Sequence, residues 1–473
     1  MKKKIIWMVI AIIIIIAATL GILYYTTDLF KTPEQLFYIH FDKNFGMLGK
    51  TDYEDAMAKL KEQSEASTEV SGEITAKMST NDPSAKEIED VISKGKIVYN
   101  TKAIGSEQKM QSDITLNYDN KDIVTLNLLQ NKEQYGIKIK EAYDKYISVE
   151  NNNLKALFQK LGADVTNVPD KIQTIDCYEF FNIDKETLKH IEETYSNIMK
   201  DNISEESYSV EKNVIVKIDG VGVKTNAYKL TLTEEQVKTI CIKLLETLKG
   251  DNKTLDLLVE KTNKITEGYE ELTTTKKVTK EELVKSLETA IKDFNEMTAT
   301  DKTAMEIVSY GIKDNKTKIE IRAFENEMTI ANLEMNIVKA NGDTKFTFDG
   351  TIEDMTINAE TIYNNEKTDI SVSVTEEGTK VDVKMSAEKD GLENITIKAE
   401  TNGTIIEANV KQNVKFVEKP TIDEFTTENS VKLNDMTTTE MQQLVQTIYA
   451  NVMKSLPEKM QLLGITTTPS VSL

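Results

Sequence analysis

The sequence predicts an α+β protein: a single N-terminal transmembrane helix, then an extracytoplasmic region of long, antiparallel, curved β-meanders covered by amphipathic helices. Three observations lead to this prediction. An uncharged apolar stretch, Ile5–Tyr25, lies near the start of the chain. Apolar and polar residues alternate over many segments separated by short turns, which is the pattern of half-solvated strands. Stretches with helical periodicity and capping residues flank those segments, and we expect two similar lobes.

The stretch Ile5–Tyr25 has the length of a transmembrane helix. Its residues rise about 31 Å at 1.5 Å each, which matches the hydrocarbon core of a bilayer. The apolar core of a cleaved signal peptide is shorter and ends at a small-residue cleavage site, so the sequence favours an uncleaved signal anchor, with cleavage as the alternative. The residues that define the predicted anchor are Ile5, Trp7, Ile12, Ile16, Leu20, Tyr24 and Tyr25.

The charges beside the anchor predict its orientation. Lys2, Lys3 and Lys4 precede the apolar stretch, and Asp28 is the first charged residue after it. Lysine-rich flanks stay in the cytoplasm, so we expect a single-pass protein of the cell membrane with a cytoplasmic N-terminus and an extracytoplasmic C-terminal region. Trp7 at one end and Tyr24–Tyr25 at the other fit the two interfacial aromatic belts.

The overall composition is acidic, with a formal net charge of −20 at pH 7. Such a chain repels nucleic acid and anionic lipid head groups, so we exclude nucleic acid as a partner. The membrane is a predicted partner through the N-terminal helix alone. Arg322 is the one arginine among 58 basic residues. Together with abundant Lys, Ile, Asn and Thr, this bias is typical of an AT-rich bacterial genome.

Periodicity and turn signals divide the chain into six parts. The weakly patterned segment 261–277 favours a boundary between two lobes, each built in the order helix, meander, helix. The predicted parts are a cytoplasmic tail (1–4), the anchor (5–26), a juxtamembrane helix and linker (27–50), a first lobe (51–275), a second lobe (276–463) and a flexible C-terminus (464–473).

The juxtamembrane part and the start of the first lobe are predicted to be helical, and the first lobe continues as a meander. Capping boxes start helices at Thr32 and Thr51, because each Thr is followed three residues later by Gln or Glu. Asp184 and Thr233 cap two later helices, and Asn81–Ile92 interrupts the strand pattern as an exposed excursion. Strands are predicted from Val70, over 96–102, 111–118, 123–130, 134–140 and 145–149, and in a hairpin over 207–231.

The second lobe has the most regular alternation. Capping boxes at Thr279 and Thr437 start two amphipathic helices that flank a long meander with one dry face. Ile395 and Val383 are predicted to lie on this dry face, and both are expected to be core residues if the protein binds no apolar ligand. Turn signals are predicted at Asp314-Asn315, Asn341-Gly342, Asp349-Gly350, Asn364-Asn365, Glu377-Gly378, Asp390-Gly391 and Asn402-Gly403.

The two cysteines carry little information about redox chemistry. Cys241 continues an apolar helical stripe, so we interpret it as a buried small hydrophobic residue. A disulfide with Cys177 is permitted outside the cell, but spacing alone does not establish its geometry.

The order of elements resembles the lipoprotein-carrier (LolA/LppX-like) architecture over roughly residues 51–260 and 279–463. In that architecture a curved, incompletely closed sheet wraps helices around an apolar cavity. The stretch 26–37, after an N-terminal anchor, also looks like uncharacterised Gram-positive membrane-anchored proteins. The resemblance implies a fold and an apolar cavity, and it carries over no functional residue.

A search for catalytic chemistry finds no convincing motif, so we predict a protein that is not an enzyme. His40 and His190 are 150 positions apart and form no zinc pair, and no nucleophile elbow, phosphate-binding loop, CxxC or EF-hand loop is present. The sequence therefore nominates no catalytic, cofactor-binding or metal-binding residue, and no cofactor.

The functional hypothesis is a membrane-tethered, extracytoplasmic binding protein that holds a lipid or other apolar ligand between curved sheet and helices. The motivation is that a long meander with one dry face curves as it twists, which leaves space that one or two helices need not fill. The alternative is an envelope structural or interaction protein that meets another protein and binds no small molecule.

Overall fold

The computed structural model describes residues 32–47, 53–160, 181–266 and 277–462, with isolated positions between 162 and 178. These residues form two compact units, each assembled from separate stretches of chain. Unit 1 comprises described residues of 1–53, 181–265 and 278–380, and unit 2 those of 54–180, 266–277 and 381–473. The units are therefore interleaved along the sequence, and each is described here by itself.

The described helices, in chain order, are α1 (Pro33–Gly46), α2 (Tyr53–Glu65), α3 (Lys86–Lys94), α4 (Leu154–Lys160), α5 (Lys185–Asn202), α6 (Glu234–Gly250), α7 (Asn252–Thr266), α8 (Lys280–Glu296) and α9 (Thr438–Leu462). Capping boxes predicted at Thr32, Thr233 and Thr279 are confirmed, because each Thr accepts from the backbone three residues on while that residue's side chain accepts from the Thr backbone. Thr437 and Glu440 cap α9 in the same way.

The described strands are β1 (Ser67–Ser79), β2 (Gly95–Ile104), β3 (Lys109–Tyr118), β4 (Lys121–Gln130), β5 (Gln134–Ile139), β6 (Tyr146–Glu150), β7 (Tyr208–Ile218), β8 (Val221–Thr233), β9 (Thr303–Tyr310), β10 (Lys316–Glu325), β11 (Met328–Ala340), β12 (Asp343–Ile352), β13 (Met355–Tyr363), β14 (Lys367–Glu376), β15 (Thr379–Glu388), β16 (Leu392–Thr401), β17 (Thr404–Phe416) and β18 (Ser430–Lys432).

Neighbouring strands within each described unit pair antiparallel, with one exception. In unit 1, β7 to β14 pair in sequence order and every pair is antiparallel. In unit 2 the order is β16-β17-β1-β2-β3-β4-β5-β6, again antiparallel, and β18 joins β6 in parallel. The predicted fold class, α+β with antiparallel meanders, is confirmed at this level.

The turn chemistry explains most of the hairpins. Asn341 and Gly342, and likewise Asn402 and Gly403, have positive φ angles, as a tight two-residue hairpin turn requires. The turn predicted at Asp349-Gly350 is wrong, since both residues lie inside β12. A Cβ atom at Gly350 would lie 3.0 Å from Leu333 Cδ2, so this glycine allows close packing instead of a turn.

Two helical segments were not predicted from the sequence. The stretch interpreted as an exposed excursion contains α3, which packs against β1. Part of the weakly patterned segment forms α7, which begins directly after α6 because Asp251 accepts hydrogen bonds from the first-turn backbone of α7 at Lys253 and Thr254.

Unit 1 contains a filled hydrophobic core between its sheet and its helices. Helices α1, α5, α6 and α8 contribute apolar side chains that pack on β8 to β12. The side chains of Leu232, Ile240, Leu255 and Ile319 are at most 1% exposed. Cys241 lies in this core as a free thiol, as the sequence predicts for a small hydrophobic residue, and burial raises its pKa to about 12.

Several predictions concern residues outside the described ranges. They are the tail and anchor (1–26, with all the anchor and topology residues), the cap at Thr51, Cys177, the boundary segment beyond Thr266 and the C-terminus from 464. Across the described residues, no helix has both the length and the apolarity needed to cross a membrane. The six-part division of the chain stays a prediction.

Candidate functional site

One face of the unit 2 sheet carries a continuous array of aliphatic side chains. Strand register places them in rows that cross the strands, because residues paired in an antiparallel ladder point to the same side. Ile395, Val410, Ile74, Ile97 and Leu116 form one such row from β16 to β3. We call this surface the apolar face, and its further members are Ala76, Met78, Ile114, Val124, Leu126, Leu128, Ile137, Ile139, Ile397, Ile406 and Ala408.

The apolar face is not covered in the way that a core is. None of its members is buried, and Ile397 is 45% and Ile406 50% exposed, while Leu116 and Ile137 are 41% and 39% exposed. Isolated exposed aliphatic residues are ordinary, but a contiguous array of them is typical of a binding surface. Ile395, predicted from the sequence to lie on the dry face of the meander, lies on this face and is only half-buried.

A buried cluster of unit 2 lies on the opposite face, beneath residues 417–429, which we call the strap. Phe425 of the strap contacts Tyr146 edge to face, with ring centroids 6.0 Å apart, and lies over Gly136. Leu129, paired with Gly136, points to this side and is 2% exposed. Burial raises the pKa of the Tyr146 hydroxyl to about 12. The side chains of this cluster therefore do not belong to the apolar face.

Polar contacts hold the strap across β2 and β3. Lys109 Nζ lies 2.6 Å from Glu424 Oε1, and the Asp423 backbone N–H donates to Gln111 Oε1 at 2.9 Å. A cavity of about 190 Å³ opens on this side of the sheet. Its lining is polar and includes Glu69, Lys102, Gln111, Asp113, Asn413 and Lys415, so it does not suit an apolar ligand.

A polar row interrupts the apolar face. Glu393, Gln412, Gly72 and Tyr99 are paired across β16, β17, β1 and β2. The Tyr99 hydroxyl donates to Gln412 Oε1 at 2.5 Å, and Gln412 Nε2 donates to Glu393 Oε2 at 2.7 Å. Gly72 makes room for this relay, because a Cβ there would lie 2.7 Å from the Tyr99 hydroxyl. Burial, and then the charge of Glu393, raise the pKa of Tyr99.

Unit 1 has its own polar cluster, on the sheet face opposite its core. Lys318 bridges Glu320 at 2.7 Å and Glu334 at 2.8 Å, and Arg322 bridges Glu320 and Glu306. Each buried charge therefore has an opposite charge beside it, as a structural ion-pair network requires. The single arginine of the chain joins two carboxylates here with its forked guanidinium, which a lysine does not reproduce.

His190 is part of a helix junction. Its Nε2 lies 2.9 Å from Asp251 Oδ1, and the Tyr195 hydroxyl donates to Asp251 Oδ2 at 3.1 Å. Asp251 also caps α7, so this carboxylate joins α5 to the α6–α7 corner. The sequence predicts a surface histidine, and its side chain is 36% exposed. His40 stacks on Tyr228 with ring centroids 3.9 Å apart.

The structure describes none of the residues that the sequence nominates for the anchor and its topology. Among the described positions, no group of three or more His, Cys, Asp or Glu side chains is arranged to hold a metal ion. Neither the strap nor the Tyr99–Gln412–Glu393 row was predicted from the sequence. The strap has no periodic pattern of apolar residues, whereas Gly72 within an alternating strand indicates close packing at that position.

Comparisons with known proteins identify a family. No curated protein matches the chain. One solved structure with weak similarity is a loop-deletion mutant of OmpT, an outer membrane protein of Vibrio cholerae. It is 9% identical, the match covers 74% of this chain and 100% of that chain, and the TM-score is 0.13. Another is OccK5 of Pseudomonas aeruginosa, which is 7% identical, with 74% of this chain and 98% of that chain covered and a TM-score of 0.16. A transferrin binding protein B double mutant from Haemophilus parasuis is similar at 7% identity, with 75% of this chain and 76% of that chain covered and a TM-score of 0.11.

Similarities at these TM-scores carry no argument about fold or function. The family comparison is of a different kind, since one family model matches residues 1–455. That match spans most of the 473-residue sequence. The chain therefore belongs to the family of unknown function DUF6583.

Proposed function

We propose that this protein is a membrane-tethered, extracytoplasmic, non-enzymatic binding protein that holds a lipid or other apolar ligand on the apolar face of unit 2. The single observation that supports this proposal is the absence of any buried member among the aliphatic side chains of that face. Contiguous aliphatic surface left in water costs about 25 cal/mol per Å², so a ligand that covers it gains that free energy.

The proposed membrane anchor keeps the apolar face close to a source of apolar ligand, the bilayer. An uncharged stretch of bilayer length, Ile5–Tyr25, with Lys2–Lys4 on its N-terminal side, favours insertion with the C-terminal region outside the cytoplasm. Tethering keeps the apolar face near the bilayer, where amphiphiles are concentrated. A protease added to intact protoplasts is expected to digest units 1 and 2, and protection of both units would overturn this orientation.

We assign no catalytic role, and two of the reactive side chains in the described region, those of Cys241 and His190, serve the fold. The Cys241 thiol is buried and its pKa is raised to about 12, so it is protonated at neutral pH. His190 contacts the carboxylate that caps α7. Both residues lie in unit 1, whereas the apolar face belongs to unit 2.

Photolabelling of the full-length protein in lipid nanodiscs tests the proposed ligand site. An uncharged long-chain probe with a diazirine in its chain is irradiated, and labelled peptides are identified by mass spectrometry. We expect labels on peptides of β1, β16 and β17, and at least a fivefold loss of labelling there in Ile397→Asp and Ile406→Asp. Labelling confined to the N-terminal 26 residues would contradict the proposal.

A matched control separates loss of the site from a general effect of a new charge. Ile215 in β7 of unit 1 is 78% exposed and lies outside the apolar face, so Ile215→Asp is expected to leave labelling of unit 2 unchanged. If no variant alters labelling of unit 2, the alternative of an envelope interaction protein becomes the better reading. Native mass spectrometry of membrane extracts then serves to find a protein partner instead.

A further inference from the structure

The polar row on the apolar face has a fixed direction. The Glu393 carboxylate only accepts hydrogen bonds when ionised, so the Gln412 amide must turn its Nε2 toward Glu393 and its Oε1 toward Tyr99. Tyr99 then has to donate its single hydroxyl proton to Gln412, which fits the 2.5 Å and 2.7 Å distances. The relay holds the side chain of Glu393 in place on the surface of the sheet.

The relay leaves the charge of Glu393 uncompensated. Its Oε2 accepts from Gln412, and within the described residues no lysine, arginine or histidine forms an ion pair with it. The neighbouring lysines do not compensate this charge, because strand alternation places Lys411 and Lys398 on the opposite face, and Lys398 forms its ion pair with Glu400. A lone carboxylate amid aliphatic side chains attracts a cation more strongly than one in open water, because the surroundings screen it less.

The aliphatic rows beside Glu393 form a surface on which the hydrocarbon chain of a ligand can lie. The next row along the strands is wholly aliphatic and includes Ile395, Val410 and Ile74. From Glu393 to Ala399 the same face of β16 extends about 20 Å at 3.3 to 3.4 Å per residue. Ile397 and Ile406, the most exposed members of the face, lie toward that far end. The apolar face therefore has the negative charge of Glu393 at one end and aliphatic side chains along the rest of its length.

We propose that Glu393, held by Gln412 and Tyr99, is the head-group site of the apolar face and selects long-chain amphiphiles whose head group carries a protonated amine. The ammonium group sits at the free Glu393 oxygen and the acyl or alkyl chain lies along the rows from Ile395 to Ile406. This inference rests on the proposed function and names its ligand class. The acidic character of the whole chain, −20, acts in the same direction.

The test compares three diazirine probes with the same twelve-carbon chain and an ammonium, a sulfate or an uncharged amide head group. Each is applied at equal concentration to the full-length protein in nanodiscs of uncharged lipid. We expect the ammonium probe to label β1, β16 and β17 peptides at least fivefold more than the sulfate probe. In Glu393→Gln, which keeps an oxygen for Gln412 to donate to, the two probes are expected to label within twofold of each other.

The control variant is Glu407→Gln. Glu407 points to the opposite face of β17 and likewise accepts a hydrogen bond from an amide, that of Asn409 at 2.8 Å, so its loss is expected to leave the ammonium preference intact. Equal labelling by all three probes in the wild type would overturn the head-group assignment and leave the proposed function standing. Failure of all three to label unit 2 would overturn both.

Discussion

The ring of Phe425 occupies the space in which residue 136 would carry a side chain: a Cβ atom at Gly136 would lie 2.5 Å from Phe425 Cε1 and 2.9 Å from its Cζ. Tyr146 packs edge to face on the same ring, and the Tyr146 Cβ would lie 3.3 Å from a Cβ atom at Gly136. The strap thus depends on the absence of one side chain from β5, and it covers the buried residues Leu129 and Tyr146.

We predict that Gly136→Ala releases the strap. The added methyl group forces Phe425 away from Tyr146, and overpacking of this kind costs about 1–3 kcal/mol of unfolding free energy. Limited proteolysis is expected to cut within residues 417–429 several times faster than in the wild type, and a chemical denaturation curve measures the stability. A Cβ at Gly250 meets no atom within 4 Å, so Gly250→Ala serves as the control and should not speed cleavage.

The same contact has a second test. If Gly136→Ala acts through the ring, it costs far less stability when Phe425 is already alanine, so the two substitutions are not additive. Additive losses would contradict the assignment of Phe425 as the partner of Gly136.

A second prediction separates the apolar face of unit 2 from the core of unit 1. Ile319 is 1% exposed and Ile397 is 45% exposed, although both are isoleucines in antiparallel strands. Ile319→Ala is expected to cost about 2–5 kcal/mol, because it leaves a cavity, whereas Ile397→Ala should cost less than about 1 kcal/mol. Urea denaturation of the two variants measures the difference. Equal losses would mean that Ile397 belongs to a packed core.

This comparison marks how far the sequence alone reaches. Alternation predicts that Ile395 lies on the dry face of its sheet, and capping boxes at Thr233 and Thr279 predict where helices begin. Alternation does not say which dry face receives a helix, because covering depends on contacts between residues far apart in sequence. Ile319 is buried, whereas Ile395 is only half-buried and Ile397, two residues on, is 45% exposed. The position of the strap was out of reach for the same reason, since its contacts, such as that of Phe425 with Gly136, are long-range and its own residues follow no period.

The third prediction concerns acid stability at Asp251. Burial raises the pKa of this carboxyl, but hydrogen bonds from Thr254, His190 and Tyr195 outweigh burial and lower it from 3.8 to about 2. A lowered folded-state pKa adds stability that is fully present above about pH 4 and is lost as the pH falls through 2. The stabilisation amounts to about 2 kcal/mol.

Urea denaturation at pH 7, 4 and 2.5 measures the contribution of the Asp251 carboxylate to the free energy of unfolding. The difference in unfolding free energy between the wild type and Asp251→Asn is expected to be constant from pH 7 to near pH 4 and to shrink toward pH 2. Asp82→Asn, at an exposed cap in unit 2, is expected to have a smaller effect at every pH. A wild-type advantage that does not change with pH would mean that the Asp251 carboxylate contributes through packing and not through its charge.

The last prediction concerns the ion pairs around Glu320. The side chains of Lys318 and Glu320 are only 7% and 8% exposed, and Glu320 also accepts from Arg322 and, at 3.2 Å, from the Tyr310 hydroxyl. Burial raises the pKa of Glu320, and the hydrogen bonds from Lys318 and Arg322 lower it further than burial raises it, so the carboxylate stays ionised. Removing it leaves the Lys318 ammonium buried beside only Glu334, which is one-third exposed.

We therefore expect Glu320→Leu to cost about 3–5 kcal/mol, because a buried charge loses its partner. The double variant Lys318→Met with Glu320→Leu removes both charges and keeps the volume, so it should recover most of that loss. Arg322→Lys keeps the charge but loses the fork between Glu320 and Glu306, and we expect it to be the mildest of the three. Equilibrium denaturation of the single and double variants measures the coupling. A double variant no more stable than Glu320→Leu would show that the pair is held by hydrogen bonds to the rest of the network, from Tyr310 and Arg322, and not by the attraction of Lys318 for Glu320.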